Sequence, residues 1–204
     1  PPIAAWNRAG GGDLPAERLA AIARELGAGQ MITGEVVGTG ARLVINASLT
    51  PVGGGTPIRR TVQGHADSIS SLVDVLTAQL LSLRAGEDES RLVALEHTPL
   101  AALRHYLEGQ SAYRRGNYGR ARQQYRRALL EDADFLQAIV ALARAESWGG
   151  SLARRDSLFG VAWRRRDELC TVDSLLMAGV AGGRGGGKTP YAFRNDAAER
   201  ATQQ

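Results

Sequence analysis

Cysteine and lysine are almost absent from this sequence of 204 residues, because Cys170 and Lys188 are the only examples of each. A single cysteine excludes an intrachain disulfide and a cluster of cysteine metal ligands, and its apolar surroundings favour an inert thiol. Aromatic residues make up only 5% of the chain, so a core must be built from Leu, Ala, Val and Ile. No apolar run approaches the ~18 residues that predict a membrane-spanning helix.

The amino terminus lacks both a methionine and the basic and apolar stretches of a signal peptide, since the chain begins Pro1-Pro2-Ile3. A start of this kind indicates a fragment or a processed product of a longer protein. Neighbouring domains, oligomeric state and compartment therefore stay open at the level of sequence.

The first 86 residues show the pattern of a small α+β domain. Helical spacing of apolar residues predicts a helix over residues 14–26 that ends at Gly27. Three strands are then predicted: residues 31–37 are rich in β-forming residues, residues 42–49 alternate, and residues 58–62 form the third. Gly34 interrupts the first of them and predicts a bulge. Asp67 is a good N-cap for a second helix, whose predicted buried stripe is Ile69, Leu72, Val73, Leu76 and Leu80.

From residue 87 onward the pattern is helical, which predicts an all-α array over residues 87–170. The predicted helices cover residues 99–115, 118–130, 135–148 and 152–169. Short loops between helices of this length imply antiparallel hairpins. Residues 171–204 are predicted to hold a glycine-rich loop and the start of a further helix. The predicted fold class is therefore α+β, a small antiparallel sheet with covering helices followed by an array of helical hairpins.

Residues 106–129 carry the marker pattern of a helical repeat, with small residues where two helices meet and tyrosines in the seam. The marker positions are Gly109, Gly116, Tyr118, Ala121, Tyr125 and Ala128. This segment resembles one tetratricopeptide repeat (TPR), a helical hairpin of 34 residues. Adding 34 to the marker positions tests for a second repeat. Three of the resulting residues suit the repeat pattern, Ala143, Phe159 and Ala162, and one does not, Arg155. The second repeat is therefore degenerate.

The amino-terminal part, from Ala28-Gly29-Gln30 through an alternating strand to Gly64 and a long helix, resembles the second half of a TolB amino-terminal-type domain. Such domains often precede TPRs in the sensor regions of bacterial membrane-anchored Ser/Thr kinases, adenylate cyclases and winged-helix regulators. The resemblance covers residues 3 to about 165 and implies that the first strand and helix of that domain lie upstream of Pro1. It also implies a bacterial parent protein, with this chain on the cytoplasmic or the extracytoplasmic side of a membrane.

The closest match to a catalytic motif runs from Gly182 to Thr189 and fits the G-x-x-x-x-G-K-[ST] pattern of phosphate-binding loops. A helical stretch rather than a strand precedes it, and Pro190 favours extended geometry at Thr189. A flexible loop between repeats is therefore the preferred interpretation. Three histidines lack the mutual spacing of metal ligands: His65, His97 and His105. The sequence predicts neither an enzyme nor a cofactor or metal site.

In TPRs the first helix of each hairpin lines a groove that commonly receives an extended peptide or a partner helix. The resemblance places six residues at groove positions: Tyr106, Gln110, Tyr113, Arg114, Arg144 and Trp148. Tyr and Trp supply contact area at low entropic cost, and Arg can bind a carboxylate through two hydrogen bonds. The competing interpretation is that Tyr113 or Trp148 only packs against the neighbouring repeat.

These patterns favour a non-catalytic interaction, scaffold or sensor module of a larger bacterial protein or membrane complex, with a protein or peptide as its partner. The net charge of +4 and the arginine-rich stretches leave a nucleic-acid-binding regulator as the main competing hypothesis. That hypothesis is weaker because the interleaved tyrosines suit a helical core. Two further hypotheses are a nucleotide-binding enzyme that uses Lys188 and a structural subunit of a membrane complex.

Overall fold

The computed structural model describes residues 14–39 and 41–182. Within these residues the fold is α+β, with a three-stranded antiparallel sheet and eight α-helices. The chain divides between Arg84 and Ala85 into two compact units, here called the sheet unit and the helical unit. This division lies two residues before the end of the predicted first domain at residue 86.

The sheet unit consists of one helix, three strands and a second helix. These elements are α1 (Ala16–Glu25), β1 (Gln30–Thr39), β2 (Arg42–Pro51), β3 (Ile58–His65) and α2 (Ile69–Arg84). The strands lie in the order β1-β2-β3, and both neighbouring pairs are antiparallel. Because side chains alternate between the two faces of a sheet, one face of β2 and β3 packs on α2. The buried residues of this core are Ile45, Ala47, Leu49, Val62, Leu76 and Leu80.

β1 is a continuous strand, so the predicted bulge at Gly34 is wrong. Each residue from Gln30 to Thr39 pairs in step with β2, and Gly34 lies opposite Ala47. A Cβ atom at position 34 would collide with the backbone carbonyl oxygen of Asn46. The glycine therefore serves the close approach of two strands rather than the insertion of an extra residue.

The start of α2 also differs from the prediction. Asp67 is not the cap, because it lies within a 3₁₀ turn (Ala66–Ser68) and its backbone N–H donates to the ring of His65. Ile69 and Val73 were assigned to the buried stripe, yet they are 45% and 46% exposed. The other three residues of the predicted stripe, Leu72, Leu76 and Leu80, do pack against the sheet, and Val75 joins them.

The helical unit contains two helical hairpins that follow a short leading helix. Its helices are α3 (Leu92–Leu95), α4 (Leu100–Arg114), α5 (Tyr118–Glu131), α6 (Leu136–Glu146), α7 (Leu152–Arg164) and α8 (Thr171–Gly182). One 3₁₀ turn (Glu89–Arg91) precedes α3, and another (Arg166–Glu168) precedes α8. α4 packs on α5, α5 on α6 and α6 on α7, so neighbouring helices in the chain are neighbours in space.

Small residues and tyrosines form the seam between α4 and α5. A Cβ atom at Gly109 would come within 2.5 Å of Cε1 of Tyr125, so only a glycine lets this ring lie against the helix. Ala121, Tyr125 and Ala128 are fully buried, which confirms the packing predicted for these marker positions. α6 is buried on nearly every side, with α5 and α7 packed against it.

We expect two glycine substitutions at the α4–α5 turn to have opposite effects. Gly116 has a φ of +74°, so Gly116→Ala should lower the free energy of unfolding by about 1 kcal/mol. Gly119 lies in the first turn of α5, where an added Cβ would meet only Asn117 Oδ1 at 4.0 Å. Gly119→Ala should therefore stabilise by about 0.5 kcal/mol. Urea unfolding followed by circular dichroism measures both, and changes of the same sign would contradict this account.

Candidate partner-binding site

The six residues predicted to line a groove fall into two groups. Three lie together at the surface: Tyr113, Arg144 and Trp148. Two are buried instead of surface-exposed: Tyr106 and Gln110. Arg114 contacts the buried group through its guanidinium, although its side chain is 46% exposed.

The surface group forms a compact cluster of rings, here called the aromatic ledge and made of Tyr113, Tyr118, Arg144 and Trp148. The rings of Tyr118 and Trp148 are stacked, with centroids 5.2 Å apart and planes inclined by 12°. Tyr113 meets Tyr118 edge-on at 5.3 Å. Nε1 of Trp148 donates a hydrogen bond of 3.0 Å to the hydroxyl of Tyr113. The guanidinium of Arg144 lies 5.0 Å from the centroid of the Tyr113 ring.

Three helix ends bring the ledge together. Tyr113 lies in the last turn of α4, and Tyr118 is the first residue of α5, across the tight turn at Gly116. Arg144 lies in the last turn of α6, and Trp148 follows that helix. Trp148 remains 55% exposed despite its stacking on Tyr118. Rings held by one another in advance lose little conformational freedom when a partner binds.

Tyr118 is the member of the ledge that sequence reasoning did not assign to a binding surface. Its position in the repeat pattern indicated a seam between helices. In the structure it is only half-buried, and it contributes its ring to the stack with Trp148. Its position in the sequence could have indicated this role. Tyr118 follows the turn at Gly116, and a side chain at the start of α5 lies next to the end of α4.

The buried group belongs to a polar network centred on Glu87, a residue that sequence reasoning did not single out. The Glu87 network comprises Glu87, Arg91, Tyr106, Gln110, Arg114, Tyr125 and Asp173. The hydroxyl of Tyr125 donates to Oε1 of Gln110 at 2.9 Å. Nε2 of Gln110 donates to the hydroxyl of Tyr106 at 2.6 Å. That hydroxyl in turn donates to Oε2 of Glu87 at 3.4 Å.

Two arginines hold the carboxylate of Glu87. Nη1 of Arg91 donates to Oε2 at 2.9 Å, and Nη1 of Arg114 donates to Oε1 at 3.3 Å. Arg91 also binds Oδ1 of Asp173 through Nε at 3.0 Å and Nη2 at 2.6 Å. The side chains of Glu87 and Asp173 are 0% and 4% exposed. Two negative charges are therefore matched by two positive ones, and of these four side chains only that of Arg114 has substantial access to water.

Both tyrosines of the network are neutral hydrogen-bond donors at ordinary pH. Burial raises the pKa of Tyr106, and the negative charge of Glu87 raises it further. Burial also raises the pKa of Tyr125, with Glu87 again adding to the effect against the opposing charge of Arg144. A chain of hydrogen bonds therefore runs from Tyr125 through Gln110 and Tyr106 to the Glu87 carboxylate. Both tyrosine hydroxyls keep their protons in this chain.

A second buried carboxylate, that of Glu146 at the end of α6, lies close to three arginines. Arg126 and Arg154 donate to its Oε1 at 2.6 and 3.3 Å, and Nε of Arg122 lies 4.0 Å from Oε2. The backbone N–H of Ser151 donates to Oε2 at 2.8 Å. Burial raises the pKa of Glu146, but these donors outweigh burial and hold it below its usual value. Part of the arginine-rich stretch of α5 is thus engaged in holding the fold together.

No protein-family model, curated protein or solved structure matches this chain. Among residues 14–39 and 41–182, no group of three His, Cys, Asp or Glu side chains could hold a metal ion. In the same ranges no helix has the length and apolar character needed to cross a membrane. The phosphate-loop motif lies, beyond Gly182, outside the described residues.

Proposed function

We propose that this chain is a non-catalytic protein–protein interaction module, acting as a scaffold or sensor within a larger bacterial protein or membrane complex. In this proposal the helical unit is a short TPR-type array that binds a partner peptide at the aromatic ledge. The supporting observation is that three of the residues expected at groove positions, Tyr113, Arg144 and Trp148, lie in direct contact, and that Trp148 is exposed.

The chemistry of the ledge specifies the kind of peptide. The exposed ring of Trp148 favours an apolar or proline side chain, because it supplies a large contact area with few rotatable bonds. The guanidinium of Arg144 lies 5.0 Å from the centroid of the Tyr113 ring, and a guanidinium beside a ring can still donate N–H groups to a carboxylate. The proposed partner is therefore an extended segment that carries an acidic side chain next to an apolar one.

We expect Trp148→Ala and Arg144→Ala each to weaken peptide binding about tenfold or more, because truncation of central aromatic and arginine anchors has the largest effects at interfaces. Peptides would be selected from a random library on the full chain, and their affinities measured by fluorescence polarisation. Trp163→Ala and Arg166→Ala are matched controls. Trp163 is 38% exposed, and the guanidinium of Arg166 lies 5.2 Å from its ring centroid.

Equal losses in the ledge variants and the control variants would contradict the proposal, since the effect would then be one of stability or net charge. Binding only to nucleic acid, with an affinity that falls steeply as salt rises, would favour the competing hypothesis of a nucleic-acid-binding regulator. A peptide contact that combines ring packing with a single ion pair should depend much less on salt.

A further inference from the structure

The Glu87 network joins two separate parts of the helical unit. Residues 85–97, here called the lead segment, supply Glu87 and Arg91, which lie four residues apart. α4 and α8 supply the opposite charges, Arg114 and Asp173. The two cross-pairs measure 3.3 Å for Glu87–Arg114 and 2.6 Å for Arg91–Asp173. Glu87 and Arg91 therefore each meet a complementary charge on another element.

Two leucines anchor the same segment. Leu92 and Leu95 are 7% and 0% exposed, whereas Val93 between them is 73% exposed. A spacing of three residues places both leucines on one face of α3. The lead segment buries two leucines on α3 and two charges that precede this helix, Glu87 and Arg91, which is the pattern of anchors seen in a peptide bound in a groove.

The surface that receives the lead segment is built for a carboxylate. The hydroxyl of Tyr106 and the amide of Gln110 both donate to Glu87, and both residues are almost fully buried. Arg114 donates to the carboxylate of Glu87 and also to the backbone carbonyl of Ala85. Buried donors that lose their acceptor are unfavourable, so this surface favours a strong hydrogen-bond acceptor such as a carboxylate at this position.

We propose that Tyr106, Gln110, Arg114 and Asp173 form a second peptide-binding site, which the lead segment occupies within its own chain. Its ligand is a short segment of the pattern Glu-x-x-x-Arg-Leu-x-x-Leu, the pattern of residues 87–95, in which the two leucines lie on a short helix. A partner segment with this pattern binds by displacing the lead segment. The site differs from the aromatic ledge and does not depend on it.

A tethered occupant excludes weak external ligands. A segment joined to its site by a short connection has an effective concentration on the order of millimolar. An external peptide must therefore have a dissociation constant for the open site well below millimolar. Otherwise the contacts of the lead segment with the site must be weakened first. Regulation follows from that competition, because any event that releases residues 85–97 uncovers the site.

The test uses a fluorescein-labelled peptide with the sequence of residues 85–97 and the full chain. We expect weak binding to the wild-type protein and about tenfold tighter binding to the Glu87→Ala/Arg91→Ala double variant, whose own segment competes poorly. A control peptide with Ala at the positions of Glu87 and Arg91 should not bind the double variant. Equal affinity of the two peptides, or no binding to a double variant with an unchanged circular dichroism spectrum, overturns the proposal.

Hydrogen exchange of the wild-type chain tests the proposal even if the double variant does not fold. A displaceable segment should open locally, so amides of residues 85–97 should exchange faster than those of α4 and α6. Excess peptide should accelerate exchange in the lead segment while leaving α4 protected. Exchange of the lead segment only through global unfolding, unchanged by peptide, overturns the proposal.

The two binding proposals fail independently. Trp148→Ala, introduced into the double variant, should change the affinity for the labelled peptide by less than about twofold, because the ledge lies outside the second site. A large loss would show that the peptide binds the aromatic ledge instead, which would overturn the second site and leave the first intact.

Discussion

Replacing Tyr106 by alanine should lower the free energy of unfolding of the helical unit by about 3–5 kcal/mol, the range for deleting a fully buried aromatic side chain. The ring is 1% exposed, and its centroid lies 5.1 Å from that of Phe135 and 6.0 Å from that of Tyr125. Its removal leaves a cavity where α4, α5 and the start of the second hairpin meet. Hydrogen exchange of the α4 and α5 amides measures the change within this unit.

Tyr106→Phe separates the ring from the hydroxyl. It keeps the packing with Phe135 but removes the group that accepts from Gln110 and donates to Glu87. We expect a loss of about 1 kcal/mol, because Gln110 still reaches Glu87 at 3.4 Å and so retains an acceptor. A phenylalanine variant as unstable as the alanine variant would show that the polar network, not ring packing, dominates at this position.

The second large effect is expected at Glu146. Glu146→Gln removes the negative charge that faces Arg122, Arg126 and Arg154 and should destabilise the chain by about 3 kcal/mol, the lower end for breaking a buried ion pair. The lower end applies because the side chains of Arg126 and Arg154 are 46% and 53% exposed and regain water. The matched control is Glu168→Gln, which removes an exposed partner of Arg165 and should have a much smaller effect.

The same variant predicts a change in pH dependence. The pKa of Glu146 lies below its ordinary value of 4.5 in the folded chain, so its contribution to stability is complete above pH 4.5. That contribution is lost as the pH falls from 4.5 through the lower folded pKa, because the carboxylate must then be protonated. The wild-type chain should therefore lose more stability between pH 6 and pH 3 than Glu146→Gln does. Parallel stability curves for the two proteins would contradict this expectation.

Much of the fold follows from local patterns in the sequence. β-rich composition and alternation predicted the strands, and turn glycines predicted where helices end: Gly27, Gly116 and Gly149 all have positive φ. The small marker residues of the α4–α5 seam are buried as expected. These predictions succeed because helix periodicity, strand alternation and left-handed turns depend on residues close together in the chain.

The candidate sites follow from the sequence only in part. The repeat resemblance pointed to Tyr113, Arg144 and Trp148, which contact one another on the aromatic ledge. It also pointed to Tyr106 and Gln110, which are buried around Glu87. The acidic stretch that begins at Glu87 has the composition of an exposed linker, so nothing local to it indicates a buried carboxylate.

The sequence by itself indicated the small α+β unit followed by a helical region and excluded an intrachain disulfide, but it did not predict the short helix α3. Only the tertiary structure decided which charged residues are buried. Arg91 binds Asp173, 82 residues away, and Arg126 binds Glu146, 20 residues away. A charge is buried only where an opposite charge and hydrogen-bond donors or acceptors converge on it from other elements. That convergence depends on how helices pack, which no short window of sequence contains.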